Sequence, residues 1–189
     1  MPAQFTFHDI ETAPERSKPI LKRLLRETGS NGFYAIMAES PEALSGYNAL
    51  SKAFNASSLT DEEKTVVWQT INVEHECNFC VPAHTAMAKR MMISEKVTTA
   101  LRDETPLPTN KLEGLREFTL ILVRKRGYAS DTEIATFLNI GYTHQNILEI
   151  VLGIAQKVVS NYVNHLAQTP VEEQHKKYTW SKAVTTRLE

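Results

Sequence analysis

The chain has 189 residues, 42% of them hydrophobic and 23% charged, with 21 Lys and Arg against 22 Asp and Glu for a net charge of −1. That length can bury a core as one large domain or two small ones, and ordinary apolar content excludes wholesale disorder. The near-neutral balance gives no electrostatic reason to expect nucleic acid or an anionic membrane as a partner, and two cysteines are too few for a disulfide scaffold.

The N-terminal stretch Met1 to Arg16 lacks the basic region and unbroken apolar run of a secretory signal. Ser17 to Thr28 predicts a helix with Ile20, Leu21, Leu24 and Leu25 on one face and Gly29 to stop it. Ser40-Pro41-Glu42 starts another, continued by Tyr47, Leu50 and Phe54. Thr60-Asp61-Glu62-Glu63 reads as a capping box ahead of Val66, Val67 and Ile71. A helix is expected from Cys77 or Asn78 to Met92, and a short one from Ser94 to Arg102. Pro106 and Pro108 break the pattern, since neither fits a helix interior. Asn110 is expected to cap Lys111 to Arg126, with Leu112, Leu115, Phe118, Thr119 and Leu122 inward. Ser130 to Glu133 is a second capping box, before a short helix ending near Asn139. From Thr143 onward, Ile147, Ile150, Val151, Ile154, Val158, Tyr162 and His165 form one stripe at helical spacing, and His165 reads as a hydrogen-bonded core histidine. Pro170 ends it, and residues 171–189 read as a tail packed loosely or on a partner.

No alternating strand, hairpin turn or internal repeat stands out. The expectation is an all-α fold of about 7–9 helices in a single domain spanning residues 1–189. The most apolar run, Ile147 to Val159, is interrupted by Glu149, Gly153, Gln156 and Lys157 and is too short to span a bilayer. A soluble cytoplasmic protein with no membrane role is expected, in a compartment that keeps thiols reduced.

The residues that carry chemistry run from Glu74 to Thr85. On one helix, Cys77, Cys80 and His84 fall within an arc of roughly 60 degrees. Two thiols one turn apart near a frayed helix start can form a disulfide, and the helix N-terminus favours a thiolate. His84 can accept or relay the thiol proton. This points to redox chemistry, in which a thiolate becomes a sulfenic acid and a neighbouring thiol resolves it. Cys80, with both a thiol and the histidine within a turn, is the candidate nucleophile. Cys77, expected to be more exposed, is the candidate resolving thiol and the point of attack for a reductant.

Other readings fit less well. Two cysteines can simply be small buried hydrophobes. A structural zinc needs four ligands; the cluster supplies three, and His75 on one turn of helix could hardly complete a tetrahedron. Haem attachment would need histidine where Val81 stands. Met87, Met91 and Met92 read as gap-fillers, though a thioether wall would suit an apolar substrate.

The run Glu76-Cys77-Asn78-Phe79-Cys80-Val81-Pro82-Ala83-His84-Thr85 resembles the C-x-x-C-x-x-x-H active-site motif of the AhpD-like branch of the carboxymuconolactone decarboxylase family. The helix opening at Leu59-Thr60 has that branch's spacing. Lys111-Leu112-Glu113, Gly141-Tyr142-Thr143 and Asn161 to Ala167 with Thr169-Pro170 look like its peroxidase-related subgroup. The resemblance covers residues 40–170. It implies an all-helical, homo-oligomeric thiol peroxidase of the alkylhydroperoxide reductase type, needing neither metal nor cofactor. In it Cys80 attacks a small-molecule hydroperoxide, Cys77 resolves, and His84 relays the proton. Electrons would come from a dithiol reductant, a lipoylated or thioredoxin-like protein.

Two positions depart from the pattern. Thr65 stands where the branch carries a relay glutamate, leaving Glu62, Glu74 and Glu76 as substitutes, and Phe79 stands where its best-known member has histidine. Two other functions remain open: a non-catalytic thiol redox sensor, and a decarboxylase-like enzyme, although founding members of that kind lack the cysteine pair.

Overall fold

Helix starts in this chain are chosen by small hydroxyl side chains. The computed structural model describes residues 5–29 and 32–182. Helix α1 (Lys18–Thr28) stops at Gly29, whose φ of 64° lets its N–H reach back to the Leu25 carbonyl. Helix α2 (Gly32–Met37) was not expected; Phe33, Ala35, Ile36 and Met37 are all buried, so it carries no periodic stripe. Ser40 caps α3 (Pro41–Asn55), and Thr60 with Glu63 forms the predicted capping box of α4 (Asp61–Glu74). Helices α5 (Cys80–Arg90) and α6 (Glu95–Arg102) follow. Thr109, one residue before the expected Asn110, caps α7 (Asn110–Arg124) by accepting the Leu112 N–H. Capping boxes at Ser130 and Thr143 open α8 (Asp131–Asn139) and α9 (His144–Ala167). A short 3-10 helix, Glu173–Tyr178, is the last element among the described residues. The described residues contain no strand, as an all-α fold requires.

Helix α4 is the axle of the fold. Every residue from Glu63 to Val73 is buried, because α7 and α9 pack on it from one side and α5 and α6 from another. Trp68, Ile71, Phe118 and Phe137 belong to a core cluster built on α4, α7, α8 and α9. A second cluster joins Leu21, Phe33, Leu44 and Tyr47 from α1 to α3 to Cys77, Phe79 and Cys80. The cysteine motif therefore sits at the inner edge of the second core, held against α9.

The expected apolar stripe of α9 is rotated from its true inner face. Val151 and Tyr162 are about half exposed, at 48% and 53%, and His165 lies on the surface rather than in the core. The residues buried are Ile150, Gly153, Gln156, Lys157, Ser160, Asn161 and Asn164. Apolar side chains were traded for polar ones over the length of the helix that faces the cysteines. Among the described residues, no helix is long and apolar enough to cross a membrane.

Gly153 marks where α9 approaches its neighbours most closely. A Cβ there would lie 2.7 Å from Phe54 Cε2 and 3.0 Å from Val67 Cγ1, both in the core. Gly153→Ala is expected to cost about 1–3 kcal/mol of stability through overpacking. The measurement is a lower denaturant midpoint at unchanged m-value; an unmoved midpoint would show that α3 yields without cost.

Candidate active site

The two cysteines are joined by a turn rather than carried on one helix. Helix α4 is capped at His75, and Glu76 takes a left-handed conformation with φ 54°, which redirects the chain. Cys77 is then pinned by its N–H to the Asn72 carbonyl at 2.9 Å, and its own carbonyl accepts the Val81 N–H at 3.0 Å. Cys80 is the first residue of α5, so its backbone N–H is free of the helix ladder and points at Cys77 Sγ, 3.2 Å away. The spacing brings the sulfurs together as expected, with Cys77 outside the helix. Cys77 is 1% exposed and Cys80 3%, so Cys77 is not the more accessible thiol; it is shielded by the turn that positions it. Both are free thiols.

A cavity of about 140 Å³ opens onto Cys80 and follows one face of α5. Cys80, Ala83, His84, Met87 and Arg90 line it from that helix, and Phe33, Tyr34, Tyr47 and Phe79 wall the other side. Met87 is thus part of the wall rather than a simple gap-filler, while Met92 is 90% exposed.

The residue that reasoning from the sequence missed is Lys157. It is 1% exposed, borders the same cavity, and places Nζ 2.9 Å from His84 Nε2. Among the described residues, no carboxylate lines the cavity. Thr65 spends its hydroxyl on the Asp61 carbonyl of its own helix, and Glu74 is held by Arg124 in two hydrogen bonds of 2.7 and 2.8 Å. Glu76 lies outside the cavity, in a separate groove beside Cys77 together with His165 and Gln168. A cation, not a glutamate, faces the thiols.

The electrostatics follow from that substitution. Burial pushes the Cys80 thiol up, but the Cys77 hydrogen bond, the Lys157 charge and the amides of Asn161 and Asn164 outweigh it and bring Cys80 down to about 6. Asn164 Nδ2 donates to Cys80 Sγ at 3.4 Å. Cys77 is driven the other way, first by its hydrogen bond to Cys80 and then by burial. One thiolate, on Cys80, and one thiol, on Cys77, is the resulting reduced state. Burial lowers Lys157, opposed by the charge of the two sulfurs. His84 is held well below its ordinary value by burial, then by Lys157 and His175, so its imidazole is neutral. Accepting from the Lys157 ammonium at Nε2 leaves the imidazole proton on Nδ1, an atom without a hydrogen-bond partner among the described residues.

A buried amide chain holds these groups in register. Gln69 donates to the Val81 carbonyl and Thr85, Asn72 donates to Gln69, and Asn161 donates to Asn72 while its oxygen meets His75. His75, the residue weighed as a fourth zinc ligand, is therefore part of this scaffold. The segment after Pro170 is not a loose tail over its described part. Glu172 accepts the Gly32 N–H at 2.8 Å, Trp180 donates to the Arg102 carbonyl at 3.0 Å, and the buried His175 borders the cavity. Residues 183–189 of the expected tail lie outside the described residues.

Comparison with known proteins places this geometry in a fold. No protein-family model matches the sequence, and no curated protein matches it. Solved structures do. A peroxidase-related protein from Ralstonia eutropha JMP134, described as an alkylhydroperoxidase AhpD core, superposes with a TM-score of 0.81 at 13% identity over 93% of this chain and 95% of its own. A peroxidase-related protein from Silicibacter sp. TM1040 gives 0.74 at 16% identity over 92% and 95%. The debrominase Bmp8, as a cysteine-to-alanine variant in complex with 2,3,4-tribromopyrrole, gives 0.68 at 17% identity over 91% and 96%. The chain has the AhpD-like fold.

Proposed function

We propose that this chain is a thiol-dependent oxidoreductase that reduces small organic hydroperoxides, with Cys80 as nucleophile, Cys77 as resolving thiol, and His84 with Lys157 as the proton-handling pair. The observation that carries the reading is the cavity-facing Cys80 sulfur, which Cys77, Lys157 and Asn164 favour as thiolate. The Cys80 thiolate attacks the outer peroxide oxygen, the O–O bond breaks, and the alkoxide that leaves takes a proton from the Lys157–His84 pair. Cys80 is now a sulfenic acid. Cys77 displaces its oxygen as water, and the disulfide forms. Two equivalents of an external thiol, or one dithiol protein, return both cysteines to the reduced state.

Lys157 takes a part that a glutamate relay cannot. A glutamate would accept the thiol proton, whereas a buried ammonium holds the thiolate by charge and has a proton to give. Exposed Leu148, Val151, Tyr162 and Leu166 along α9 fit the homo-oligomer that the resemblance implies. A site that works as a dithiol fits a reducing compartment such as the cytoplasm.

The test is thiol titration before and after stoichiometric cumene hydroperoxide, followed by turnover with excess dithiothreitol. Loss of two thiols per chain without intermolecular crosslinks, and then many equivalents of peroxide consumed, is the expected result. Oxidation that occurs once and stops would make the pair a redox sensor instead.

A second reading is favoured by the ring-sized cavity and the debrominase among the structural neighbours. The same thiolate could accept bromine from a small bromo-aromatic ring, with the ring carbon protonated and bromide released as Cys77 closes the disulfide. Bromide release from tribromopyrrole under dithiothreitol would distinguish it from peroxide reduction.

A further inference from the structure

The cavity is a slot with the reactive sulfur at one end and an uncommitted cation at the other. Cys80, Ala83, His84, Met87 and Arg90 occupy positions i, i+3, i+4, i+7 and i+10 of α5, a single helical face. Ten residues of helix separate the Cα atoms of Cys80 and Arg90 by about 15 Å along the axis. That span leaves room for one benzene ring with a substituent at each end and a contact distance to sulfur and to guanidinium. The volume agrees: about 140 Å³ here, close to the roughly 150 Å³ of an engineered apolar cavity that holds benzene. The rings of Phe33, Tyr34 and Phe79 give such a guest flat apolar walls.

The charge pattern adds the second half. Arg90 stands at the exposed end of α5 and has no ion-pair partner among the described residues. Among the described residues, the other ionisable groups bordering the slot, apart from Cys80 and two tyrosines, are His84, Lys157 and His175. Glu172 is held by the Gly32 N–H and lies 3.5 Å from His175, and it is not among the groups that line the slot. Lys157 is answered by the Cys80 thiolate; Arg90 has no hydrogen-bond or ion-pair partner among the described residues.

Resting on the peroxidase reading, we propose that the hydroperoxide taken by this site is a compact single-ring compound bearing a carboxylate opposite its peroxide, with the carboxylate on Arg90 and the peroxide at Cys80. Long-chain fatty-acid hydroperoxides exceed the slot, and neutral single-ring ones lack the anchor.

The experiment compares kcat/KM for cumene hydroperoxide, its para-carboxylate analogue and linoleic acid hydroperoxide, in the wild type, Arg90→Gln and Arg90→Lys. Because the guanidinium is solvent-accessible, the carboxylate analogue is expected to lead cumene hydroperoxide by about three- to fivefold, a ratio that falls to near one in Arg90→Gln and returns in Arg90→Lys. Linoleic acid hydroperoxide should trail by about tenfold or more. Equal rates for the two ring compounds, or a preference that survives Arg90→Gln, would overturn the proposal. A binding arm separates this from failure of the peroxidase reading. Para-isopropylbenzoate, which cannot react, should protect Cys80 from iodoacetamide better than isopropylbenzene, and Arg90→Gln should erase the difference. If no hydroperoxide is consumed yet that protection holds, the ligand class stands and the reaction assignment falls. If protection is equal for both compounds, the ligand class falls.

Discussion

Cys80→Ser is expected to lower hydroperoxide turnover by at least about a thousandfold, while Cys77→Ser stops the cycle after one oxidation. The asymmetry follows from the site rather than from the motif alone. Of the two, only Cys80 borders the cavity shared with His84 and Lys157, and only it has Lys157, Cys77 and Asn164 all favouring its thiolate. Cys77 lies against the far side of the turn, raised by its bond to Cys80 and by burial, and is suited to attack a sulfenic acid already in contact with it. Dimedone labelling checks the division. A sulfenic acid should accumulate on Cys80 in Cys77→Ser and be absent from Cys80→Ser. Turnover in Cys80→Ser at the wild-type rate would transfer the nucleophile to Cys77.

Lys157→Met is the second large effect. Removing an opposite charge beside a thiolate raises its pKa by about 1–3 units. In the wild type, activity should rise with pH through about 6, where Cys80 deprotonates, and level off above it. In Lys157→Met the same rise moves to higher pH. A shift of two units cuts the thiolate fraction at pH 7 by about tenfold, and a shift of three by about a hundredfold. Loss of the proton donor lowers the plateau as well. The fold responds in the opposite sense: an apolar side chain of similar length replaces a buried cation that has no carboxylate partner among the described residues, so thermal stability should hold or increase. A variant that loses activity in step with its melting temperature, at an unchanged pH profile, would make Lys157 structural.

The parts of this protein that were legible in advance are those whose physics is local. A Ser or Thr hydroxyl followed three residues later by Glu closes a capping box within one turn, so α4 and α8 begin where the sequence says. The apolar face of α7 is likewise a matter of spacing, and Leu112, Leu115, Phe118, Thr119 and Leu122 are all buried. Cys77, Cys80 and His84 were recognised for a similar reason, being three groups within eight residues.

What was missed depends on partners distant in the chain. Lys157 is 73 residues from His84, and on its own helix it looked like an interruption of an apolar run. A signal was present: Gln156, Lys157, Ser160, Asn161 and Asn164 recur at helical spacing, and a polar stripe inside an otherwise apolar helix marks a face that meets polar partners. Reading the apolar residues alone turned α9 the wrong way. The chain after Pro170 was misjudged for a related reason. Its composition is polar, but Glu172, His175 and Trp180 each find a specific partner or cavity in the body of the protein. Cys77 was expected to be exposed because a helix start usually is; the left-handed turn at Glu76 folds it inward instead.

The pairing of Lys157 with a thiolate also governs how the cysteine couple sits on the redox scale. In the dithiol state the ammonium has the Cys80 sulfur as its counter-charge. Closing the proposed disulfide removes that charge and leaves burial, which favours the neutral amine, as the main influence on Lys157. On that basis two electrons are expected to leave together with two protons, one from Cys77 and one from Lys157, where an ordinary thiolate–thiol pair would release one. The midpoint potential of the proposed couple should accordingly fall by about 59 mV per pH unit instead of about 30 mV. Alkalinisation favours the oxidised form twice as steeply as the sulfurs alone would dictate, and a modest acidification makes the disulfide correspondingly easier for a reductant to open.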